Sequence, residues 1–140
     1  MTSAASTELD WLLDELVKRL PGVRHAVLLS YDGLLMARCS TMRQEDAEHF
    51  CAMSSALHGL ARSAGGRFDG GGVRQAVIEL EEAIMFVTAG GANACLALWA
   101  EESANMGMVA YEMNQTVLRL RSYLSTSARR GDGNHVDSRS

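Results

Sequence analysis

The stretch from Ala83 to Ala100 carries no charge and is long enough to resemble a membrane span, yet Gly90-Gly91-Ala92-Asn93 stands in its middle. Those four residues are turn chemistry, so two buried strands joined by a hairpin explain the stretch better than one span. Ala83 to Thr88 and Ala94 to Ala100 are uncharged and apolar on both faces of a strand. Such strands sit in the centre. A sheet buried on both faces needs helices on both faces, and this confines the chain to an α/β (α+β) sandwich.

The remaining segments supply those helices. Leu9, Leu12, Leu13, Leu16, Val17 and Leu20 recur at helical spacing. Thr7 with Asp10 resembles a capping box opening this first helix, and Pro21-Gly22 stops it. Asp14 with Lys18 and Glu15 with Arg19 are acid-before-base pairs on its wet side. Val23 to Ser30 and Leu34 to Cys39 flank Tyr31-Asp32-Gly33, a hairpin signal, so they form antiparallel neighbouring strands. Arg74, Gln75 and Glu79 interrupt the third strand, Val73 to Leu80, in the mixed pattern of an edge or a polar interface. Met106, Val109, Met113, Val117, Leu120 and Leu124 mark a last helix from about Asn105 to Thr126. The domain thus covers residues 7–126, with 1–6 and 127–140 expected to be disordered tails.

The longest helix, roughly Met42 to Ala64 and opened by a capping box of Thr41 with Gln44, has two faces worth separating. Ala47, Phe50, Met53, Ser54, Leu57, Leu60, Ala61 and Ala64 form the expected core stripe. Ala52, Ser55, Ala56, Gly59 and Ser63, all small, lie opposite, fringed by Glu45, Glu48 and Arg62. Small residues let two helix axes approach closely, but a low-bulk solvent face would look the same.

Chemistry is harder to find. The formal charge is −4 with basic residues spread along the chain, a surface that repels a phosphate backbone. The glycine-rich run Gly65 to Gly72 reads as a flexible connection; it lacks the lysine and the following helix of a P-loop. His25, His49, His58 and His135 stand at no zinc spacing, and no Gly-x-Ser-x-Gly elbow occurs. Cys39, Cys51 and Cys95 sit in apolar runs and behave as small hydrophobes. No catalytic, cofactor-binding or metal-binding residue is therefore assigned. Without signal-peptide character at the N-terminus, a reducing cytoplasm is the expected location, with membrane recruitment only through partners.

The element order and the words within it resemble the Roadblock/LC7 family. Leu9-Asp10-Trp11-Leu12-Leu13 leads into Pro21-Gly22-Val23-Arg24-His25-Ala26-Val27, followed by Asp32-Gly33-Leu34-Leu35. Gly70-Gly71-Gly72-Val73-Arg74-Gln75, Phe86-Val87-Thr88-Ala89, Ala94-Cys95-Leu96-Ala97 and Gly107-Met108-Val109-Ala110-Tyr111-Glu112-Met113 come next, in family order. Taken together they are similar to the GTPase-regulator branch of actinobacteria, encoded beside a sensor-kinase-like protein and a small Ras-like GTPase in clusters called conservons.

The resemblance implies a non-catalytic homodimer that binds a Ras-like GTPase. Its interface would use Ala52, Ser55, Ala56, Gly59 and Ser63 of the long helix and Val73, Arg74, Gln75 and Val77 of the third strand. Glu45, Glu48, His49 and Arg62 would be the GTPase contacts. A scaffold for the sensor-kinase-like partner, or a small-molecule sensor domain, are the alternatives. The sensor is disfavoured because the apolar core offers few convergent polar groups.

Overall fold

The computed structural model describes residues 4–91 and 93–131. Its elements run α1 (Ala4–Arg19), β1 (Val23–Ser30), β2 (Leu35–Arg38), α2 (Gln44–Arg67), β3 (Gln75–Glu79), β4 (Ala83–Gly91), β5 (Ala94–Glu101) and α3 (Met106–Gly131). The strands form one sheet in the order β2-β1-β5-β4-β3, and every pairing is antiparallel. β5 is central, and Ala83 to Thr88 with Ala94 to Leu98 are buried without a break. That burial follows from the absence of any charge in the two segments. α1 and α3 pack on each other and on the sheet, while α2 packs across all five strands. Because β4 and β5 are covered on both sides, the helix pair and α2 occupy opposite faces.

Leu9, Leu12, Leu13, Leu16 and Leu20 of α1 are buried, as are Val109, Met113, Val117 and Leu120 of α3. Ion pairs from Arg19 to Glu112 at 2.9 Å and from Arg119 to Glu15 at 3.3 Å tie the two helices together. Met106, expected in the α3 stripe, is exposed, because it opens the helix at the rim of the sheet. The Asn105 side-chain oxygen accepts the Met108 N–H at 3.0 Å, capping α3.

Several local expectations are corrected. Thr41 does not cap α2: Arg43 is the N-cap residue. The Thr41 hydroxyl instead donates to the Arg24 carbonyl at 2.8 Å and lies 2.9 Å from His25 Nδ1. A long-range partner thus outcompetes the local one. Asp10 and Asp14 likewise serve the strand layer, accepting the N–H of Arg38 at 3.0 Å and of Ser40 at 2.6 Å. The Asp14–Lys18 pair is not formed, whereas Glu15 and Arg19 approach to 3.9 Å.

Both terminal helices run past the expected boundaries. α1 begins at Ala4, where Ala-Ala favours helix, and α3 continues to Gly131 through residues with no breaker among them. Residues 1–3 and 132–140, the rest of the expected tails, lie outside the described residues. The Gly65–Gly72 connection is also more ordered than expected. α2 absorbs its first part, and the N–H groups of Gly70 and Gly71 return to the Gly65 carbonyl at 2.7 and 3.3 Å.

Candidate functional site

The surface that stands out joins the outward face of α2 to the free edge of β3. Winding α2 buries Ala47, Phe50, Cys51, Ser54 and His58, which recur at three and four residues as one stripe. Opposite lie Ala52, Ala56, Gly59 and Ser63, all exposed. Met53 and Leu60 lie with them, 57% and 69% exposed. Both were expected in the core, and the correction matters. The outward face is not merely small but carries two large apolar side chains. Apolar residues surround this helix on most sides, so periodicity alone left the face ambiguous. Cys51 and His58, which fill the core positions, are the residues a hydrophobicity count undervalues.

Ser55 turns away from this face. It is half-buried, and its hydroxyl donates to the Tyr31 carbonyl at 2.7 Å, fixing α2 to the β1–β2 turn. Gly33 in that turn has φ +91° and lies close beneath Ser55, a conformation and an approach that suit glycine.

β3 ends the sheet, so one side of it has no strand neighbour. The Leu80 N–H donates to the Ala83 carbonyl at 2.7 Å. Backbone groups in an antiparallel strand alternate in direction, so Leu80, Ile78 and Ala76 point toward β4. Gln75, Val77 and Glu79 then direct their N–H and C=O groups to the open edge. Val77, Ile78 and Leu80 are exposed, as is Phe68 just after α2. α2 packs against β3, so helix face and strand edge adjoin.

Between the start of β3 and α3 runs an open groove of about 510 Å³, lined by Val73, Arg74, Gln75, Asn114, Leu118 and Arg121 among others. The Gln75 amide nitrogen lies 3.8 Å from Met113 Sδ. Arg121 lies across Gly91, with Cγ and Nε each 3.1 Å from where a Cβ on that glycine would sit.

Glu45, Glu48 and His49 are exposed on the first turns of α2, and Gln44 donates to Glu48 at 2.9 Å. Arg62 is not brought to them. It stands roughly 20 Å farther along the helix than Glu48, and its guanidinium carbon lies 5.0 Å from the centre of the Tyr31 ring, a cation–π contact.

The titratable groups near the core offer no obvious chemistry. Burial, with help from Glu48, pushes the Cys51 thiol up to about 12. Burial pushes Cys95 up to about 11 against an opposing Arg62. Both thiols are held protonated, the unreactive form. Burial first and Arg62 second lower His58, whose ring centroid lies 4.7 Å from that of Tyr31. Burial first and Arg24 second lower His25, with Asp46 opposing. Among the described residues no group of three or more His, Cys, Asp or Glu could hold a metal ion. Among those residues no helix is long and apolar enough to cross a membrane.

A sheet with helices on both faces, an exposed apolar helix and an unpaired edge define a domain built for contact with other polypeptides. The model of the Roadblock/LC7 domain matches residues 9–100, and the chain belongs to that family. A Roadblock/LC7 domain from Streptomyces avermitilis is 44% identical with a TM-score of 0.80, covering 83% of this chain and 97% of that one. A second Streptomyces Roadblock/LC7 domain is 36% identical with a TM-score of 0.67, over 80% of this chain and 97% of that one. Myxococcus xanthus MglB shares the fold at a TM-score of 0.80 and 13% identity, over 90% of this chain and 94% of that one. No curated protein matches the chain.

Proposed function

We propose that the chain is a non-catalytic regulatory or adaptor module that works as a homodimer and binds a small Ras-like GTPase in a conservon-type signalling complex. The observation that carries self-association is the exposed apolar face of α2 beside the unpaired edge of β3. An open edge is an aggregation hazard, and a contiguous apolar patch marks an interaction site. Pairing α2 with α2 and β3 with β3 about one twofold axis covers both together. Ala52, Ala56, Gly59, Ser63, Val73, Arg74, Gln75 and Val77 belong to this interface, now with Met53 and Leu60. Ser55 supports it from beneath. One fold relative, an MglB, is described in a tetrameric arrangement, which agrees with self-association.

Family membership supports the GTPase as partner. Glu45, Glu48 and His49 would form a polar rim beside the paired helices, with Arg62 approaching from the Tyr31 flank. No arginine is assigned as a catalytic finger, and any effect on nucleotide hydrolysis is proposed to act through residues of the GTPase. The cytoplasm is the proposed location, with membrane recruitment through the partner.

The test is binding of the intact chain to the Ras-like GTPase of its own gene cluster, loaded with GDP or with a non-hydrolysable GTP analogue. Saturable binding to at least one nucleotide state is expected. Failure to bind either state, by a chain shown to be dimeric, would remove the GTPase from the account.

A further inference from the structure

The two edges of the sheet are finished differently. β3 leaves its outward backbone groups open, whereas β2, at the other end of the strand order, is met by α1. The Cys39 N–H donates to the Ala26 carbonyl of β1 at 3.1 Å. Alternation then turns the N–H groups of Arg38, which ends β2, and of Ser40 just past it away from β1, toward the open side of the sheet. One helix takes both. Asp10 accepts the Arg38 N–H at 3.0 Å and Asp14 the Ser40 N–H at 2.6 Å.

The spacing explains why a helix can do this. Residues four apart on α1 are separated by about 6 Å along its axis. Outward N–H groups two residues apart on a strand are separated by about 6.8 Å. Carboxylates at i and i+4 therefore reproduce the row of carbonyl oxygens that a neighbouring strand would offer. The buried leucines from Leu9 to Leu20 turn the apolar stripe of α1 to the sheet. Asp10 and Asp14 stand roughly 100–140° round the helix from that stripe. The body of α1 thus lies over the sheet face, and these two side chains reach round to the edge.

We infer that Asp10 and Asp14 stand in for an edge strand and close β2 to strand addition by a second copy, so that assembly through the sheet stops at the dimer. The inference rests on the homodimer reading above, since a dimer paired through β3 carries a β2 edge at each end. With those edges open, dimers could join β2 to β2 in an open-ended chain. The aspartate of Leu9-Asp10-Trp11-Leu12-Leu13 thereby has a role outside both the core and the GTPase surface.

Amide exchange on the intact parent tests the closure without a substitution. The Arg38 and Ser40 N–H groups are expected to exchange at least about tenfold more slowly than in an unstructured chain, although both face away from β1. Free exchange at both would overturn the inference.

Sedimentation equilibrium of the full chain, over a roughly hundredfold range of concentration, tests the consequence. The parent should hold the dimer mass. Asp10→Ala with Asp14→Ala should rise with concentration to at least about twice that mass, as dimers join through β2. Asp10→Asn with Asp14→Asn keeps an acceptor oxygen at each position and should remain dimeric. Adding Arg38→Pro to the alanine pair removes an outward donor at an edge position, where proline is tolerated, and should return the mass to that of the dimer. An alanine pair that stays dimeric, an asparagine pair that joins as the alanine pair does, or joining that survives Arg38→Pro would each overturn the inference while leaving the homodimer in place. A monomeric parent would instead overturn the homodimer reading itself.

Discussion

A Cβ on Gly65 would stand 2.2 Å from the Gly71 carbonyl oxygen, because the loop leaving α2 folds back onto the helix end before β3 begins. That contact fixes where the β3 edge starts. Gly65→Ala should therefore force the loop off the helix and cost about 1–3 kcal/mol. A methyl on Gly66, one residue on, would meet nothing within 4 Å, and Gly66→Ala should gain roughly 0.5–1 kcal/mol from helix propensity. Urea denaturation of both at one protein concentration checks the pair. Shifts in the same direction would contradict the contact.

A Cβ on Gly59 would meet nothing within 4 Å beyond its own turns of helix. The position opens outward from the fold. Gly59→Trp or Ala56→Leu should raise the dimer Kd at least about tenfold through overpacking. The far-ultraviolet circular dichroism should stay that of the parent. Sedimentation equilibrium reads the first effect, and an unchanged Kd would mean that α2 does not pair.

His58 and His25 are both held below their ordinary value, first by burial. The native protein therefore binds fewer protons than the unfolded chain once the pH falls toward about 6.5. Stability from these sites is full above that pH and declines as the pH falls through it toward the lowered native values. His58→Gln should flatten the slope of unfolding free energy between about pH 7.5 and 5.5, and adding His25→Gln should flatten it further. An unaltered slope in the double variant would show that the two imidazoles are not the source.

The layer order was legible because it rests on coarse signals. Uncharged segments at Ala83–Thr88 and Ala94–Ala100 mark central strands, and Asp32-Gly33 marks a hairpin. Side chains whose partners are distant in sequence were not legible. Thr41 and Asp10 resemble helix caps locally, yet serve Arg24, His25 and Arg38 across the fold. The α2 face was half legible. Ala52, Ala56, Gly59 and Ser63 were placed outward by their helical spacing, but Met53 and Leu60 resemble core residues and only packing shows them exposed. The arginine groove carries no sequence signal, since α3 is far from β3 along the chain.

Glu45 and Glu48 are exposed on α2, and neither makes a contact that the core depends on. Glu45→Lys with Glu48→Lys should weaken GTPase binding about tenfold or more, as charge reversal at a polar rim does, without altering the mass of the chain alone. Titration calorimetry with the GTPase checks this. Unchanged affinity, with loss on substituting an exposed α1 or α3 residue such as Trp11 or Leu118, would move the docking face to the other side of the sheet.

The most direct measurement is multi-angle light scattering of the chain at micromolar concentration, alone and with the Ras-like GTPase proposed as its partner. The chain has a mass of 15.1 kDa. The expected result is about twice that mass alone, and a single heavier species containing the dimer when the GTPase is added. A monomer alone, or a GTPase that elutes separately in both nucleotide states, would contradict the account.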